Sequence, residues 1–180
     1  MIRTFLLLLG LLLQGCTAQG AGMGTAPRAG GSGASGSGGN HVAFSVDGQS
    51  FAFRTPQVRH GRARAGEAVV AESFELASDD QSLYARVVLY VGPGREDLSG
   101  VYPAVLVDRD GARAGVAELL LAEETDLARG RRMFPSGGGQ VEVEHRDGYF
   151  TVRFEFTGDG LFRSGDAPPV TGELSFHAPS

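Results

Sequence analysis

The chain has 180 residues, enough for one folded domain with a sizeable core. All 16 basic residues are arginine, and all 21 acidic residues lie in 41–180, where 14 arginines leave a formal charge of 14 − 21 = −7. An acidic domain of this kind argues against nucleic acid as a partner, because nucleic-acid binding needs a basic face. The single cysteine, Cys16, excludes internal disulfides.

The N-terminal segment has the pattern of an export signal. Arg3 supplies a positive charge, and an apolar run follows over 5–13, interrupted by Gly10. This run is too short for a membrane-spanning helix, which needs roughly 20 apolar residues. We therefore expect 1–15 to be a signal peptide.

The four residues Leu13-Gln14-Gly15-Cys16 resemble the lipobox of bacterial lipoproteins, although Gln14 stands where a small residue is more usual. The resemblance implies cleavage before Cys16 and attachment of lipid to its thiol. Thr17 after the cysteine implies sorting to the outer membrane, facing the periplasm or the cell surface. Two or more acyl chains give stable anchoring, so the expected membrane contact is the N-terminal lipid.

A linker separates this cysteine from the rest of the chain. Residues 17–40 are mainly Gly, Ser and Ala with one charge, Arg28. Such a composition cannot bury enough apolar surface to offset its ordering entropy. We expect 16–40 to be a lipidated, flexible tether spanning roughly 27 Å, and 41–180 to be a single domain.

Alternating apolar residues predict a β-hairpin at the start of the domain. The dipeptide at 47–48, Asp-Gly, favours a two-residue type I′ turn. This turn places Phe44 opposite Phe51 and Val42 opposite Phe53, so that both strands share one apolar face. A slip of one residue would break that face.

A second hairpin is predicted near the C-terminus, with Asp-Gly at 147–148 as its turn. Its strands alternate apolar and charged residues, which indicates one buried and one solvated face. The predicted cross-strand pairs are Val143–Val152, Val141–Phe154, His145–Phe150, Glu142–Arg153 and Glu144–Thr151.

Further apolar runs predict the remaining strands. Pro103 limits its run to an edge or a bulge, and 116–129 fits either a helix or a strand over 115–122, of which we favour the strand. The other predicted strands are 67–77, 82–91, 100–107 and 170–178. The expected fold is mainly β: an antiparallel β-sandwich or small calycin-like barrel of 8–10 strands.

The order of these features resembles small, uncharacterised bacterial lipoproteins with a β-sandwich or calycin-like domain. The matching stretches are 44–48, 100–102, 139–143 and 172–176, and the resemblance in their order covers most of 41–178. The resemblance implies this fold and brings no catalytic residues.

Motifs for catalysis or cofactors are absent from the sequence. Neither a G-x-S-x-G elbow nor a phosphate loop occurs, and the glycine-rich stretches 92–94 and 136–139 are expected to be mobile connections. The acidic pairs at 79–80 and 108–110 are expected in ordinary turns. The histidines, which lack metal-ligand spacing, are His41, His60, His145 and His177. We expect the protein to have no enzymatic activity and to bind no metal or cofactor.

One stretch suggests a ligand. Four arginines and a histidine fall within 54–64, and arginine forks suit oxyanions. The candidate anion-binding residues are Arg59, His60, Arg62 and Arg64, with an extension to Arg129, Arg131 and Arg132 if the fold brings them near. The alternative, which we favour, is a solvated edge strand whose charges prevent sheet-to-sheet aggregation.

These features together predict a membrane-tethered, non-enzymatic binding or envelope-interaction module. Its partner would be a protein, a glycan or a small molecule. The alternative is a calycin-like carrier of a small hydrophobic ligand, which requires an open cavity. The residues expected to line such a cavity are Tyr84, Tyr90, Tyr102 and Phe162.

Overall fold

The computed structural model describes residues 39–179 except 56, 108–110, 127–129 and 159–166. The predicted signal peptide, Cys16 and almost all of the predicted linker lie outside the described residues. The described part contains ten strands: β1 Asn40–Val46, β2 Gln49–Thr55, β3 Val58–Gly66, β4 Val69–Ala77, β5 Leu83–Val91, β6 Gly100–Pro103, β7 Val116–Asp126, β8 Gly130–Arg146, β9 Tyr149–Gly158 and β10 Pro169–His177.

The strands form one curled antiparallel sheet in the order β2-β1-β10-β9-β8-β7-β5-β4-β3. Strand β6 lies off this path and pairs with β8. The sheet has two halves that meet along β8, whose residues up to Pro135 pair with β7 and whose residues from Ser136 onward pair with β9. The predicted fold class, a mainly β sandwich or calycin-like barrel of 8–10 strands, is confirmed.

Both Asp-Gly hairpins have the predicted register. Phe44 pairs with Phe51 and Val42 with Phe53. In the β8–β9 hairpin the predicted pairs Val143–Val152, Val141–Phe154 and His145–Phe150 are all present. Each turn has positive φ at both central residues, from 49° at Asp47 to 78° at Gly48, as a type I′ turn requires.

The other predicted strands are also present, but some begin or end at different residues. Within the run at 116–129 the structure describes a strand over Val116–Asp126, which is longer than the predicted 115–122. The run at 100–107 ends as a strand at Pro103, because proline lacks the N–H that would continue the ladder. Strand β6 is also an edge strand, as Pro103 predicts.

The two halves of the sheet face each other across an apolar core. Phe74 on β4 packs against Phe150 on β9 and Phe176 on β10, with ring centroids 4.7 Å and 5.1 Å apart. Burying such a side chain contributes about 1.5–3 kcal/mol. The described interior is therefore occupied by side chains from both halves.

A second, smaller cluster lies on the other face of β5. Val88 and Tyr90 pack there with Val105 and Val116. This explains why the run at 82–91 is apolar on both faces: Val87 and its neighbours on the same face belong to the main core, and Val88 and Tyr90 belong to the second cluster.

Ser136 joins the strands where β8 passes from one half of the sheet to the other. Its side chain is fully buried. The hydroxyl accepts a hydrogen bond from the Leu119 amide at 3.0 Å and donates one to the Val105 carbonyl at 2.8 Å. A side chain thus replaces the backbone partners that β7 loses when β8 departs.

The prediction of a mobile connection at 136–139 is wrong, because these residues lie inside β8. One of their glycines, Gly139, permits close packing against β9. Gly139 has φ of 125°, and a Cβ there would lie 2.3 Å from the Glu155 carbonyl oxygen. Only glycine fits this position without a backbone shift.

Arg153 lies on the solvated face of β9 and pairs with Glu142 in register. It also pairs in register with Glu173 on β10. The guanidinium contacts Glu173 at 3.0 Å and the diagonal neighbour Glu144 at 2.7 Å. The hydrogen bond with Glu144, and next that with Glu173, raises the pKa of Arg153. Pairs this exposed contribute little to stability.

We expect Phe154→Ala to lower the free energy of unfolding by about 3–5 kcal/mol, because it removes a buried ring from the core. Arg153→Ala, one residue earlier on the exposed face, should lower it by less than about 1 kcal/mol. Urea denaturation of both variants checks this, and equal losses would contradict the observed alternation.

We expect Ser136→Ala to lower the free energy of unfolding by about 1–3 kcal/mol, because it leaves the Leu119 amide and the Val105 carbonyl buried without partners. Ser99→Ala is the matched control. The Ser99 hydroxyl makes the same two kinds of bond to His145, but at a half-buried position. A loss in the control as large as that in Ser136→Ala would show that burial of the hydroxyl does not matter.

Candidate functional site: a histidine cleft at the sheet edge

The arginine-rich stretch forms β3, the last strand of the sheet path, as the edge-strand interpretation predicts. Successive side chains of a strand point to opposite faces. Arg59, opposite Glu75, therefore lies on one face, while His60, Arg62 and Arg64 lie on the other. The fold does not bring the four candidate anion-binding residues together on one surface.

The face with His60 is the face of the core. His60 pairs in register with Phe74, and Arg62 pairs with Glu72. Directly opposed residues of antiparallel strands share a face, and Phe74 is buried in the main core. Polar side chains of β3 thus lie on the core-facing side of the sheet, at its edge.

Glu72 organises these side chains. Its residue is 5% exposed, and both carboxylate oxygens have cationic or polar partners. His60 Nε2 lies 2.9 Å from Oε2, and Arg62 Nε lies 3.0 Å from Oε1. A buried carboxylate needs such partners, so Glu72 holds His60 and Arg62 in defined positions.

Two stacked pairs of rings meet at the end of the core, where Phe74 and Phe150 are tilted by 44°. The His60 imidazole stacks on Phe74 with centroids 4.9 Å apart, and the His145 imidazole stacks on Phe150 at 4.2 Å. The two phenylalanines touch each other. A histidine from each half of the sheet is therefore placed at either end of an aromatic column.

These rings form the base of an open cleft of about 350 Å³, which we call the histidine cleft. It lies between the edge strand β3, the loop that follows β5, and the residues after β10. Its lining residues are His60, Arg62, Glu72, Phe74, Gly94, Arg95, Glu96, Leu98, His145, Phe150, Ala178 and Pro179.

The loop wall of the cleft is held by hydrogen bonds. Arg95 donates from Nε to the Asp97 carbonyl and from Nη2 to the Ser99 carbonyl, both at 2.7 Å, and lies over the Tyr102 ring. Bonds from the Ser99 side chain and amide lower the pKa of Asp97, and burial raises the pKa of Tyr102. The Ser99 hydroxyl also ties this loop to the backbone of His145.

Arg59 lines a separate depression of about 420 Å³ on the opposite face of the sheet, together with Glu75 and Tyr84. The loop at its rim is internally bonded. Asp80 Oδ1 accepts hydrogen bonds from the Ser78 hydroxyl and from the amide and hydroxyl of Ser82, which lower the pKa of Asp80 to about 2. These bonds are the turn chemistry expected for the pair at 79–80.

The tyrosines predicted to line a carrier cavity lie in different places. Tyr84 borders the outer depression, Tyr90 belongs to the second cluster, and Tyr102 is buried in the main core; Phe162 lies outside the described residues. Arg132, from the predicted extension of the arginine patch, pairs with Glu123 and does not line the histidine cleft. Arg129 and the side chain of Arg131 are not described.

The sequence did not predict that Glu72, Arg95 and His145 would line the cleft. The pairing of Glu72 with Arg62 depends on a hairpin whose turn, at 67–68, is Glu-Ala and lacks the usual turn residues. The position of Arg95 depends on a loop with no periodic signal. Among the described residues, no group of three or more His, Cys, Asp or Glu side chains could hold a metal ion.

Comparison with known proteins does not identify a ligand for the cleft. Comparisons with protein-family models, with curated proteins and with solved structures find no match to this chain. In the part of the chain that the structure describes, we find no helix with the length and apolarity needed to cross a membrane. The chemistry of the cleft therefore has to be inferred from its own residues.

We expect unequal effects from breaking the Arg62–Glu72 pair from either side. Arg62→Met removes a partner from a buried carboxylate and should lower the free energy of unfolding by about 1–3 kcal/mol. Glu72→Gln leaves the Arg62 side chain, which is 57% exposed, free to be hydrated. This change should alter the free energy of unfolding by less than about 1 kcal/mol. Urea denaturation of both variants gives the comparison, and a larger loss for Glu72→Gln would contradict it.

Proposed function

We propose that this protein is an exported bacterial lipoprotein, tethered through Cys16 to the outer membrane, whose β domain is a non-enzymatic binding module facing the periplasm or the cell surface. The observation that carries the proposal is Leu13-Gln14-Gly15-Cys16 directly after an apolar run with a preceding arginine. A cysteine at this place is suited to lipid attachment. Insertion of the acyl chains into the membrane is favourable by about 0.8 kcal/mol for each CH₂ that is buried.

The domain itself favours binding at its surface over carriage in its interior. The described core is occupied by side chains from both halves of the sheet. Its two described recesses are open, with arginine and glutamate at the walls of both and histidine in the histidine cleft. A carrier of a hydrophobic ligand needs an apolar cavity instead, and the predicted lining tyrosines lie apart.

The charge of the domain supports a tether that depends on lipid. Residues 41–180 carry a formal charge of −7, so anionic headgroups repel the domain and do not attract it. Residues 17–40 have a composition typical of flexible linkers. A domain held this way can reach partners beyond the headgroup layer.

We expect Cys16→Ser to abolish incorporation of an alkyne-labelled fatty acid in a bacterial host with lipoprotein processing. The variant should also keep its N-terminal segment, because cleavage depends on the lipidated cysteine. In-gel fluorescence after coupling of a dye measures the label, and mass spectrometry measures the length of the chain.

Gln14→Ala is the matched control for this experiment. It replaces a neighbour of the cysteine by a small residue and should be labelled and cleaved like the parent chain. Absence of label in the parent chain, or equal labelling of Cys16→Ser, would contradict the proposal.

A further inference from the structure

We propose that the histidine cleft binds an uncharged saccharide unit. The inference rests on the proposed function in one respect, that the domain is a binding module, and it adds the site and the chemical class of the ligand.

The formal charges of the arginines and glutamates that line the cleft cancel. Arg62 and Arg95 supply two positive charges, and Glu72 and Glu96 supply two negative charges. Arg62 is already neutralised by Glu72 at 3.0 Å. An anion would gain little net attraction here, although arginine forks suit anions elsewhere.

The cleft offers both hydrogen-bond donors and hydrogen-bond acceptors to a ligand. Glu96 is exposed, and its carboxylate has no hydrogen-bond or ion-pair partner among the described residues. The ring nitrogens of His145 and the Nη groups of Arg62 also lack hydrogen-bond partners in that part of the chain. A sugar hydroxyl both donates and accepts, so it matches a wall that offers carboxylate acceptors beside guanidinium donors.

Apolar surface alternates with these groups. The half-buried His145 ring and the exposed Pro179 supply accessible apolar surface, whereas Phe74, Phe150 and Leu98 lie buried beneath them. The His60 imidazole has one face on Phe74, and its side chain is 32% exposed. Ligand sites typically combine such apolar lining with a few polar groups, and about 350 Å³ falls at the small end of their usual range.

The cleft is also organised without a ligand. The buried Glu72 carboxylate holds His60 and Arg62, and Ser99 holds the loop to His145. Side chains that are already ordered lose less conformational entropy on binding. This order favours recognition of a small ligand that offers few contacts.

The test uses the full-length chain in a detergent without a sugar headgroup. The neutral probes are N,N′-diacetylchitobiose, cellobiose and maltose, and the anionic probes are galacturonate and glucose 6-phosphate. Binding is followed by the NMR shifts of the His60 and His145 imidazoles. We expect at least one neutral probe to shift both rings in a saturable way, and the anionic probes to bind more weakly.

Two variants place the ligand in the cleft. Glu96→Ala and Arg62→Ala should each weaken the binding of that neutral probe by about tenfold, as loss of a hydrogen bond to a charged group does. The matched controls are Glu67→Ala, at an exposed turn, and Arg64→Ala, two residues further along the same face of β3; both should bind like the parent. Because Arg62 also pairs with Glu72, Glu96→Ala carries the test if the Arg62 variant unfolds.

Three outcomes would overturn the inference. They are no shift of either imidazole with any neutral probe, tighter binding of the anions with a strong dependence on salt, and equal loss of binding in the control variants. The lipid-labelling experiment does not involve the cleft. Failure of saccharide binding with a labelled Cys16 therefore rejects the ligand class and leaves the tethered lipoprotein intact.

Discussion

The structure depends on one shared strand. β8 belongs to both halves of the sheet, and the change of partner from β7 to β9 occurs at Ser136. Backbone groups cannot be left unpaired in a buried place without a loss of about 1–3 kcal/mol each. The Ser136 hydroxyl meets this need by bonding to Leu119 and Val105, and Ala104 donates its amide to the Gly139 carbonyl beside it. These bonds give partners to four backbone groups at the point where the two halves diverge.

Close packing of the strands around the core follows from glycines at defined places. A Cβ at Gly139 would meet the β9 backbone at 2.3 Å, and a Cβ at Gly172 would lie 2.4 Å from the Ala43 carbonyl oxygen and 2.6 Å from the Phe154 ring. Real Cβ atoms do not come this close. Gly139 in β8 and Gly172 in β10 therefore let the backbone of β9 and the ring of Phe154 approach closely.

Local patterns predicted those parts of the fold that local physics determines. An Asp-Gly turn between alternating strands sets its own register, so Phe44–Phe51 and Val143–Val152 followed from the sequence. The first part of β8 did not, because Pro135 and three glycines lack alternation and its partners are distant in the chain. The candidate site was found in part. His60 and Arg62 were predicted, but Arg59 lies on the other face, and Glu72 and His145 joined the site through tertiary packing.

The position of the cleft follows from the place of β3 in the fold. An edge strand exposes unpaired backbone groups, and inward-pointing charged side chains discourage another strand from adding there. His60 and Arg62 satisfy this requirement only because Glu72 and Phe74 on β4 offer a carboxylate and a ring to receive them. The same contacts keep the end of the core from closing with apolar side chains. What protects the edge thus also leaves an ordered, polar recess beside the buried rings, so protection of the edge and recognition of a ligand can share one set of residues.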